Sequence, residues 1–298
     1  MTPSKISRPV DRHIHEECGV FGIYSPVNAP LAQLMYYGLY SLQHRGQESA
    51  GIVINDDGVF SSYRDVGLVN EVFSSQRLKD LGDGCISVGH VRYATTGSDH
   101  KDNLQPLIIN HHKGRMALAH NGNLVNSMEL RKKLEERGSI FHTTTDSEVI
   151  AYMIVQERLC RPSIEAAVSA AMDSLVGAYS LVISSPTKLI AARDPHGFRP
   201  LCMGRRRDGM VVFASESCAL DAVGAEFERD LLPGEVLTVD ATGIRSDRSH
   251  CGTAQRSLCV FEYIYFARPD SVIDGCSVCI ARNRAGAFLA QEHPVEAD

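Results

Sequence analysis

The order of the secondary-structure patterns is the feature that most restricts how this chain of 298 residues can fold. Runs typical of strands come first, at residues 18–24, 51–54, 59–63, 86–92 and 115–120. Helical patterns follow at residues 126–138, 145–154 and 163–175, and strand patterns return at 178–184, 189–192, 211–215 and 235–239. Because strands and helices are grouped rather than alternating, the sequence predicts an α+β fold of layers with mostly antiparallel sheets.

Two of these helices are predicted to begin at a capping box, in which an acidic residue follows three positions after the capping residue. Asn126 is followed by Glu129, and Thr145 is followed by Glu148. Further patterns predict a helix at residues 30–43, a strand at 258–266 and a helix at 281–291.

Composition and charge exclude several classes of protein. The net charge of −6 and the lack of a long basic run argue against a nucleic-acid partner. No apolar stretch approaches the length of a membrane span, and the first residues lack the apolar core of a signal peptide, so a cytoplasmic location is expected. Nine cysteines in such a chain are expected as reduced thiols or metal ligands rather than disulfides.

Cys18 is the first candidate for catalysis. It leads directly into an apolar run, whereas residues 1–17 are polar and have no apolar period. If that leader is removed, a thiol and a free α-amine lie on one residue. The amine, whose ordinary pKa is about 8, can then act as the base. The alternative is that Cys18 is a small buried residue at the edge of a strand.

Four further segments carry polar residues where predicted strands or helices end. They contain Arg45 with Gly46, Arg92 with Thr95, Asn121 with Gly122, and Asp146. Taken singly, each has an ordinary structural explanation, such as a turn, a surface arginine or a carboxylate at a helix start. Together with a thiol they offer partners for an α-carboxylate, an α-ammonium and an oxyanion. Glutamine, attacked at its side-chain carbonyl, fits this set.

Several motifs, in this order along the chain, resemble a known family. The class II, N-terminal-nucleophile glutamine amidotransferases are similar at Cys-Gly-Val-Phe-Gly-Ile from Cys18, Leu-Gln-His-Arg-Gly-Gln from Leu42, Gly-His-Val-Arg-Tyr from Gly89 and His-Asn-Gly-Asn from His120. Within that group, the amidophosphoribosyltransferase family is similar at Asp-Pro-His-Gly-Phe-Arg-Pro-Leu from Asp194 and Phe-Glu-Tyr-Ile-Tyr-Phe-Ala-Arg-Pro-Asp-Ser from Phe261. The resemblance extends from Cys18 to the last residue.

The resemblance implies a four-layer αββα sandwich and a role for each candidate residue. The implied roles are nucleophile for Cys18, oxyanion hole for Asn121 and Gly122, carboxylate binding for Arg92 and Thr95, amino-group binding for Asp146, and pocket lining for Arg45 and Gly46. In the full-length family, glutamine is hydrolysed and the ammonia is transferred to phosphoribosyl pyrophosphate, with magnesium, to give phosphoribosylamine in purine synthesis. A homo-oligomer is expected, which in the family is a tetramer.

The resemblance also divides the chain. Residues 1–17 are expected to be a propeptide, residues 18–250 the glutaminase domain, and residues 251–298 a linker and the truncated start of a phosphoribosyltransferase domain. The Val-Asp-Asp-Ser-type phosphate loop of that domain does not occur in the sequence, so at most glutaminase chemistry is expected here. The alternatives are a non-catalytic binding module with the same fold and another class II enzyme, such as glucosamine-6-phosphate synthase.

The later cysteines raise the question of a metal site. Cys276 and Cys279 form a single Cys-x-x-Cys pair, with Cys251 and Cys259 at loose spacing, which is a weak pattern for zinc. Some family members with a propeptide bind a 4Fe–4S cluster, and the resemblance puts Cys259 at the first ligand position. The other ligands are expected beyond residue 298, so a complete cluster from this chain is not expected.

Overall fold

A computed structural model of the chain describes residues 18–93 and 101–296. The predicted propeptide and Thr95 lie outside these ranges. Two antiparallel sheets form the centre of the molecule, and helices lie against them. None of the helices in the described ranges is long and apolar enough to cross a membrane.

The first sheet has seven strands. In spatial order they are β11 (Ala225–Asp230), β9 (Cys202–Arg206), β10 (Val211–Ala214), β1 (Gly19–Ala29), β4 (Gly84–Arg92), β2 (Ser49–Asp56) and β3 (Val59–Val66). Neighbouring strands are antiparallel throughout. Cys18 directly precedes β1 and Arg92 ends the adjacent β4, with Gly19 opposite Val91. The sheet therefore brings Cys18 and Arg92 to the same end.

The second sheet has six strands, also antiparallel. In spatial order they are β13 (Gly243–Asp247), β12 (Val236–Asp240), β8 (Leu189–Arg193), β7 (Gly177–Ser184), β6 (Gly114–Leu124) and β5 (Leu107–His111). A small hairpin lies further along the chain and consists of β14 (Val272–Ile273) and β15 (Cys276–Ser277).

The helices form the outer layers. They are α1 (Leu31–Ser41), α2 (Val69–Val72), α3 (Ser75–Asp80), α4 (Ser127–Glu136), α5 (Asp146–Cys160), α6 (Ile164–Met172), α7 (Ser217–Ala222) and α8 (Val278–Glu292). One apolar core joins α1, α2, α3 and α7 to the first sheet, and another joins α4, α5 and α6 to the second.

Alternation along the strands produces the layers. Phe21 of β1 packs on the helix side with Leu39, whereas Val20 packs in a third core between the sheets with Val182 and Leu189. Each sheet is thus buried on both faces. The predicted α+β, four-layer αββα sandwich is confirmed, and the strands and helices expected between residues 18 and 240 are present.

Local capping is where the helix predictions are wrong. Asn126 and Thr145 precede α4 and α5 as expected, but neither side chain caps its helix. Asn126 instead bonds to the main chain of Ser174 and Val176. Glu148 accepts the backbone N–H groups of residues 142 and 143. The side chains of Asn126 and Glu148, which the pattern assigns to the helix ends, therefore form hydrogen bonds to the backbone of neighbouring segments instead.

Two predicted elements are also different in the structure. Asn121-Gly122 is not a turn, because β6 continues through both residues to Leu124 in register with β7. Residues 258–266 do not form a strand, because Glu262–Phe266 is a π-helical turn. Glu262 is completely buried there and forms an ion pair with Arg45. A tertiary ion pair thus outweighs the β propensity of the surrounding apolar residues.

Candidate active site

Cys18 lies at the head of the central strand of the first sheet. Its side chain is 6% exposed, and its Sγ donates to the carbonyl oxygen of Tyr93 at 3.4 Å. The predicted strand that begins at a thiol is therefore present. The sulfur contacts a polar backbone group next to Arg92 rather than only hydrocarbon.

Arg92 is the last residue of β4 and pairs with Ser49 of β2. Its side chain is 4% exposed, and its Nη2 atom is buried without a hydrogen-bond partner among the described residues. Arg92 also lines a cavity of about 290 Å³, together with Glu48, Ser49, Val66 and Leu104. A buried guanidinium nitrogen without a partner can accept a carboxylate as ligand.

Asn121 lies inside β6, opposite Ser180 of β7. The residue is fully buried, and neither its Nδ2 nor its Oδ1 atom has a partner in the part of the chain that the structure describes. The next residue must be glycine, because a Cβ on Gly122 would lie 2.1 Å from the carbonyl oxygen of Ala178. An unpaired buried amide costs free energy, and an incoming substrate oxygen can supply the missing partner.

Asp146 is the first residue of α5 and is nearly buried. Its Oδ2 accepts the backbone N–H of Leu124 at 2.8 Å, and its Oδ1 lies 3.6 Å from Nδ1 of His120. Burial disfavours the charged carboxylate, but His120 and the backbone donors outweigh it, so the pKa of Asp146 lies below its usual value. The carboxylate is therefore ionised near neutral pH and suits an ammonium group.

Hydrogen bonds between the sheets bring these groups together. His90 of β4 contacts the carbonyl oxygen of His120 in β6 at 2.9 Å. His120 is next to Asn121 and faces Asp146, while His90 is two residues before Arg92. The structure thus places Cys18, Arg92, Asn121 with Gly122, and Asp146 at one end of the two stacked sheets.

Comparisons with known proteins show what this chain is similar to. A family model described as a glutamine amidotransferase domain matches residues 90–222. The amidophosphoribosyltransferases of Methanocaldococcus jannaschii and Bacillus subtilis are 46% and 47% identical to this chain, over 94% and 96% of it. The solved glutamine phosphoribosylpyrophosphate amidotransferase of B. subtilis, complexed with ADP and GMP, matches 94% of the chain with a TM-score of 0.86 and 46% identity. This chain belongs to the amidophosphoribosyltransferase family.

The chain covers only part of its relatives in the amidophosphoribosyltransferase family. It spans 62% of the M. jannaschii protein, 59% of the B. subtilis protein and 60% of the solved B. subtilis chain. These similarities favour the amidophosphoribosyltransferase interpretation of the sequence over glucosamine-6-phosphate synthase, and the relatives themselves are named as enzymes.

Arg45 is predicted to line the pocket beside Cys18. It lies beside Cys18 as predicted, but its Nε donates to the Cys18 carbonyl oxygen at 3.1 Å. Its two Nη atoms bind Glu216 and Glu262. The side chain is fully buried, and these contacts use four of its five N–H groups within the protein. Arg45 therefore holds the main chain of Cys18.

Gly46 follows Arg45 and lies against the end of β4. A Cβ at Gly46 would come within 2.7 Å of backbone atoms of Arg92 and Val91. Nearby, the N–H of Glu48 donates to the carbonyl oxygen of Arg92 at 3.1 Å. Gly46 thus allows the loop to approach Arg92 closely, which fits its predicted place at the pocket.

Several buried polar residues that support this site are not among those predicted from the sequence. Glu216 and Glu262 hold Arg45, and His90 joins the two sheets. Glu262 does lie inside the motif from Phe261 on which the family resemblance rests. The ion pairs of Glu216 and Glu262 could not be predicted from the sequence, because their partner Arg45 is 171 and 217 positions away.

The described residues do not form a complete metal centre. A 4Fe–4S cluster takes four thiolates, and structural zinc takes four ligands. Among residues 18–93 and 101–296, no group of three or more His, Cys, Asp or Glu side chains could hold a metal ion. Cys259 and Cys276 are partly exposed and Cys279 is exposed, all as free thiols. These residues therefore do not by themselves fit an iron–sulfur or zinc site.

Proposed function

We propose that this chain hydrolyses glutamine to glutamate and ammonia through a thioester on Cys18, as the glutaminase part of an amidophosphoribosyltransferase. The observation that best supports this function is the amide of Asn121, which is fully buried with both polar atoms unpaired. It lies at the same end of the sandwich as the thiol, Arg92 and Asp146. Such an amide is suited to an oxygen that becomes negatively charged during reaction.

Recognition of glutamine uses charges of opposite sign. Arg92, together with Thr95, binds the α-carboxylate, and the ionised Asp146 binds the α-ammonium. The two charges fix the amino-acid end, so that the side-chain carboxamide extends toward Cys18. Holding both ends in this way lowers the entropic part of the barrier.

The chemistry is an acyl transfer in two stages. Once residues 1–17 are removed, the α-amine of Cys18 takes the thiol proton, and the thiolate attacks the glutamine amide carbon. Nδ2 of Asn121 and the backbone N–H of Gly122 stabilise the resulting oxyanion. The amine returns its proton to the leaving nitrogen, ammonia departs, and a γ-glutamyl thioester forms. Water then hydrolyses the thioester to glutamate and regenerates the thiol.

The remaining parts of the proposal concern the longer protein. Residues 18–250 form the glutaminase domain, and residues 251–298 begin a phosphoribosyltransferase domain. In that domain, ammonia displaces pyrophosphate from phosphoribosyl pyrophosphate with the help of magnesium, giving phosphoribosylamine for purine synthesis. We further propose a cytoplasmic homo-oligomer. If an iron–sulfur cluster forms, Cys259 is its candidate ligand from this chain.

The test begins with the N-terminus and the thiol. Intact mass is expected to show a purified chain that begins at Cys18, and glutamine is expected to yield glutamate. Cys18→Ala is expected to abolish glutamate release without loss of fold, because the change is small. Cys85→Ala is the matched control, since Cys85 is a partly exposed free thiol at the opposite end of β4.

Two outcomes contradict the proposal. Equal turnover by the Cys18→Ala protein rejects Cys18 as the nucleophile. An intact leader with no turnover of glutamine favours the alternative of a non-catalytic binding module.

A further inference from the structure

Arg45 is the centre of a buried ion network that joins three distant segments. Its Nη1 and Nη2 atoms bind the two carboxylate oxygens of Glu262, each at 2.8 Å. Nη1 also binds Glu216 at 2.6 Å, and Nε donates to the Cys18 carbonyl oxygen at 3.1 Å. The side chains of Arg45, Glu216 and Glu262 are all fully buried.

Both glutamates connect this arginine to the C-terminal part of the chain. Glu262 lies in the π-helical turn Glu262–Phe266. Glu216 accepts the backbone N–H of Arg268 at 2.9 Å and the hydroxyl of Ser271 at 2.7 Å. Residues 262–271 are therefore connected to Cys18 through the guanidinium of Arg45. They nevertheless follow the predicted end of the glutaminase domain at residue 250.

The geometry allows little freedom at Arg45. A guanidinium is a planar fork, so the paired bonds to Glu262 set the direction of Nε. Nε holds the carbonyl group of Cys18, whose carbon is bonded to the Cα that carries the amine and the Cβ with the thiol. A buried guanidinium that loses its carboxylate partner must either change its orientation or keep an unpaired charge, and both cost free energy. The orientation of Cys18 thus depends on Glu262.

The geometry points to Glu262 as a positioning residue for Cys18, acting through Arg45 and never touching glutamine. This inference rests on the proposed glutaminase function for its effect on turnover, but the placement of Cys18 can be measured without turnover. It extends the functional glutaminase unit past residue 250 to include at least Glu262.

A matched control exists in the same segment. Arg193 is also fully buried and forms a fork with Asp274, with bonds of 2.8 and 3.0 Å. This second fork attaches residues 272–277 to the sandwich, but no hydrogen bond described for Arg193 involves Cys18. Asp274→Asn therefore weakens the docking of the C-terminal segment without acting on the nucleophile.

The kinetic test compares Glu262→Gln with Asp274→Asn in the full chain. Glu262→Gln keeps the shape of the side chain but removes the charge and one acceptor of the fork. We expect kcat for glutamine hydrolysis to fall roughly tenfold or more, which corresponds to about 1.4 kcal/mol, with KM little changed because Arg92 and Asp146 are intact. Asp274→Asn is expected to keep the kcat of the wild type.

The structural test reads the Cys18 carbonyl directly. The sequence contains two Cys-Gly pairs, at Cys18 and at Cys251. A protein labelled with ¹³C at cysteine carbonyls and ¹⁵N at glycine therefore gives two HNCO signals, those of Gly19 and Gly252. Glu262→Gln is expected to move the Gly19 signal and leave that of Gly252 in place, whereas Asp274→Asn moves neither.

Each result decides the inference. An unmoved Gly19 signal in the Glu262→Gln protein overturns it, whatever the turnover. Equal loss of kcat in both variants also overturns it, because docking alone then explains the effect. If Glu262→Gln does not fold, Arg45→Lys serves in its place, since an ammonium cannot bind Glu262 and Cys18 with the geometry of the fork. A wild type without turnover rejects the proposed function, while the NMR comparison still tests the positioning.

Discussion

His90 and His120 join the two sheets beneath the candidate site. Nε2 of His90 lies 2.9 Å from the carbonyl oxygen of His120. Since a carbonyl only accepts, Nε2 carries the proton of the neutral ring. His90 is completely buried, and its Nδ1 has no partner among the described residues. Adding a second proton, at Nδ1, therefore costs free energy because it would create a buried charge without a partner.

The first prediction concerns stability at acidic pH. Burial, followed by the charges of Arg92 and His120, lowers the pKa of His90 from 6.5 to about 3, although its hydrogen bond to His120 opposes this. Between these two values the unfolded chain binds a proton that the folded chain does not. Stability is therefore lost as pH falls from about 6.5 toward 3, by on the order of 3 kcal/mol at pH 4.5.

His90→Gln removes this proton while keeping an N–H donor. Urea unfolding between pH 7 and pH 4.5 is expected to show a smaller loss of unfolding free energy in the variant than in the wild type. His112→Gln is the control, because His112 is exposed. A pH dependence that is the same in all three proteins contradicts a buried neutral His90.

The second prediction concerns the oxyanion hole. Asn121→Ala is expected to lower kcat for glutamine hydrolysis about 10²- to 10³-fold, because one donor to the oxyanion is lost. Stability should change little, since neither amide atom of Asn121 has a partner in the described structure. Glutamate release and urea unfolding measure the two effects.

Asn55 is the matched control for Asn121, because it is also a fully buried asparagine. Its Nδ2 binds Ser184 and Ser185, and its Oδ1 accepts the N–H of Gly58. Asn55→Ala is expected to cost roughly 2 kcal/mol or more of stability and to leave kcat unchanged. If Asn55→Ala instead lowers kcat and Asn121→Ala lowers only stability, Asn121 does not belong to the oxyanion hole.

Much of the fold follows from patterns that are local in sequence. Apolar alternation locates the strands, and helical spacing locates α1, α4, α5 and α6, because one face of each is buried. The pattern is wrong at Asn121-Gly122, where a common turn signal is overruled by pairing with β7. The strand predicted at residues 258–266 is wrong for a similar reason, since Glu262 bonds to Arg45 across the fold.

The site was predictable to a different extent. Cys18, Arg92, Asn121 and Asp146 carry side chains whose chemistry suggests glutamine, and the structure gathers them at one end of the sheets. The role of Arg45 was not predictable, because its charge could serve either a substrate or a buried carboxylate. Only the three-dimensional positions of Glu216 and Glu262 decide between these two uses.

The third prediction concerns the α-carboxylate of glutamine. Arg92→Leu is expected to raise KM for glutamine about 10²-fold, the effect of losing a charged, bidentate pair of roughly 2 to 3 kcal/mol. Thermal stability should fall far less, since Nη2 of Arg92 lacks a partner in the described structure. Arg92→Lys, which keeps the charge, is expected to restore part of the affinity.

A glutamine analogue without the α-carboxylate tests whether Arg92 acts on that group. The wild type should hydrolyse the analogue with a KM raised about as much as the substitution raises it for glutamine. The Arg92→Leu protein should discriminate little between the two substrates. Full discrimination by the variant, or its failure to fold, would mean that Arg92 is structural.

The fourth prediction concerns the contact between Gly46 and β4. A Cβ at Gly46 would lie 2.7 Å from backbone atoms of Arg92 and Val91, which cannot move aside as a side-chain end could. Gly46→Ala is therefore expected to push the loop off β4, to cost about 1 to 3 kcal/mol of stability, and to raise KM by displacing Arg92. Gly286→Ala is the control, since a Cβ there meets nothing within 4 Å in α8 and alanine favours a helix. Urea unfolding should show a lower free energy of unfolding for Gly46→Ala and no loss for Gly286→Ala. An unchanged KM in the Gly46→Ala protein would contradict the close approach of this loop to Arg92.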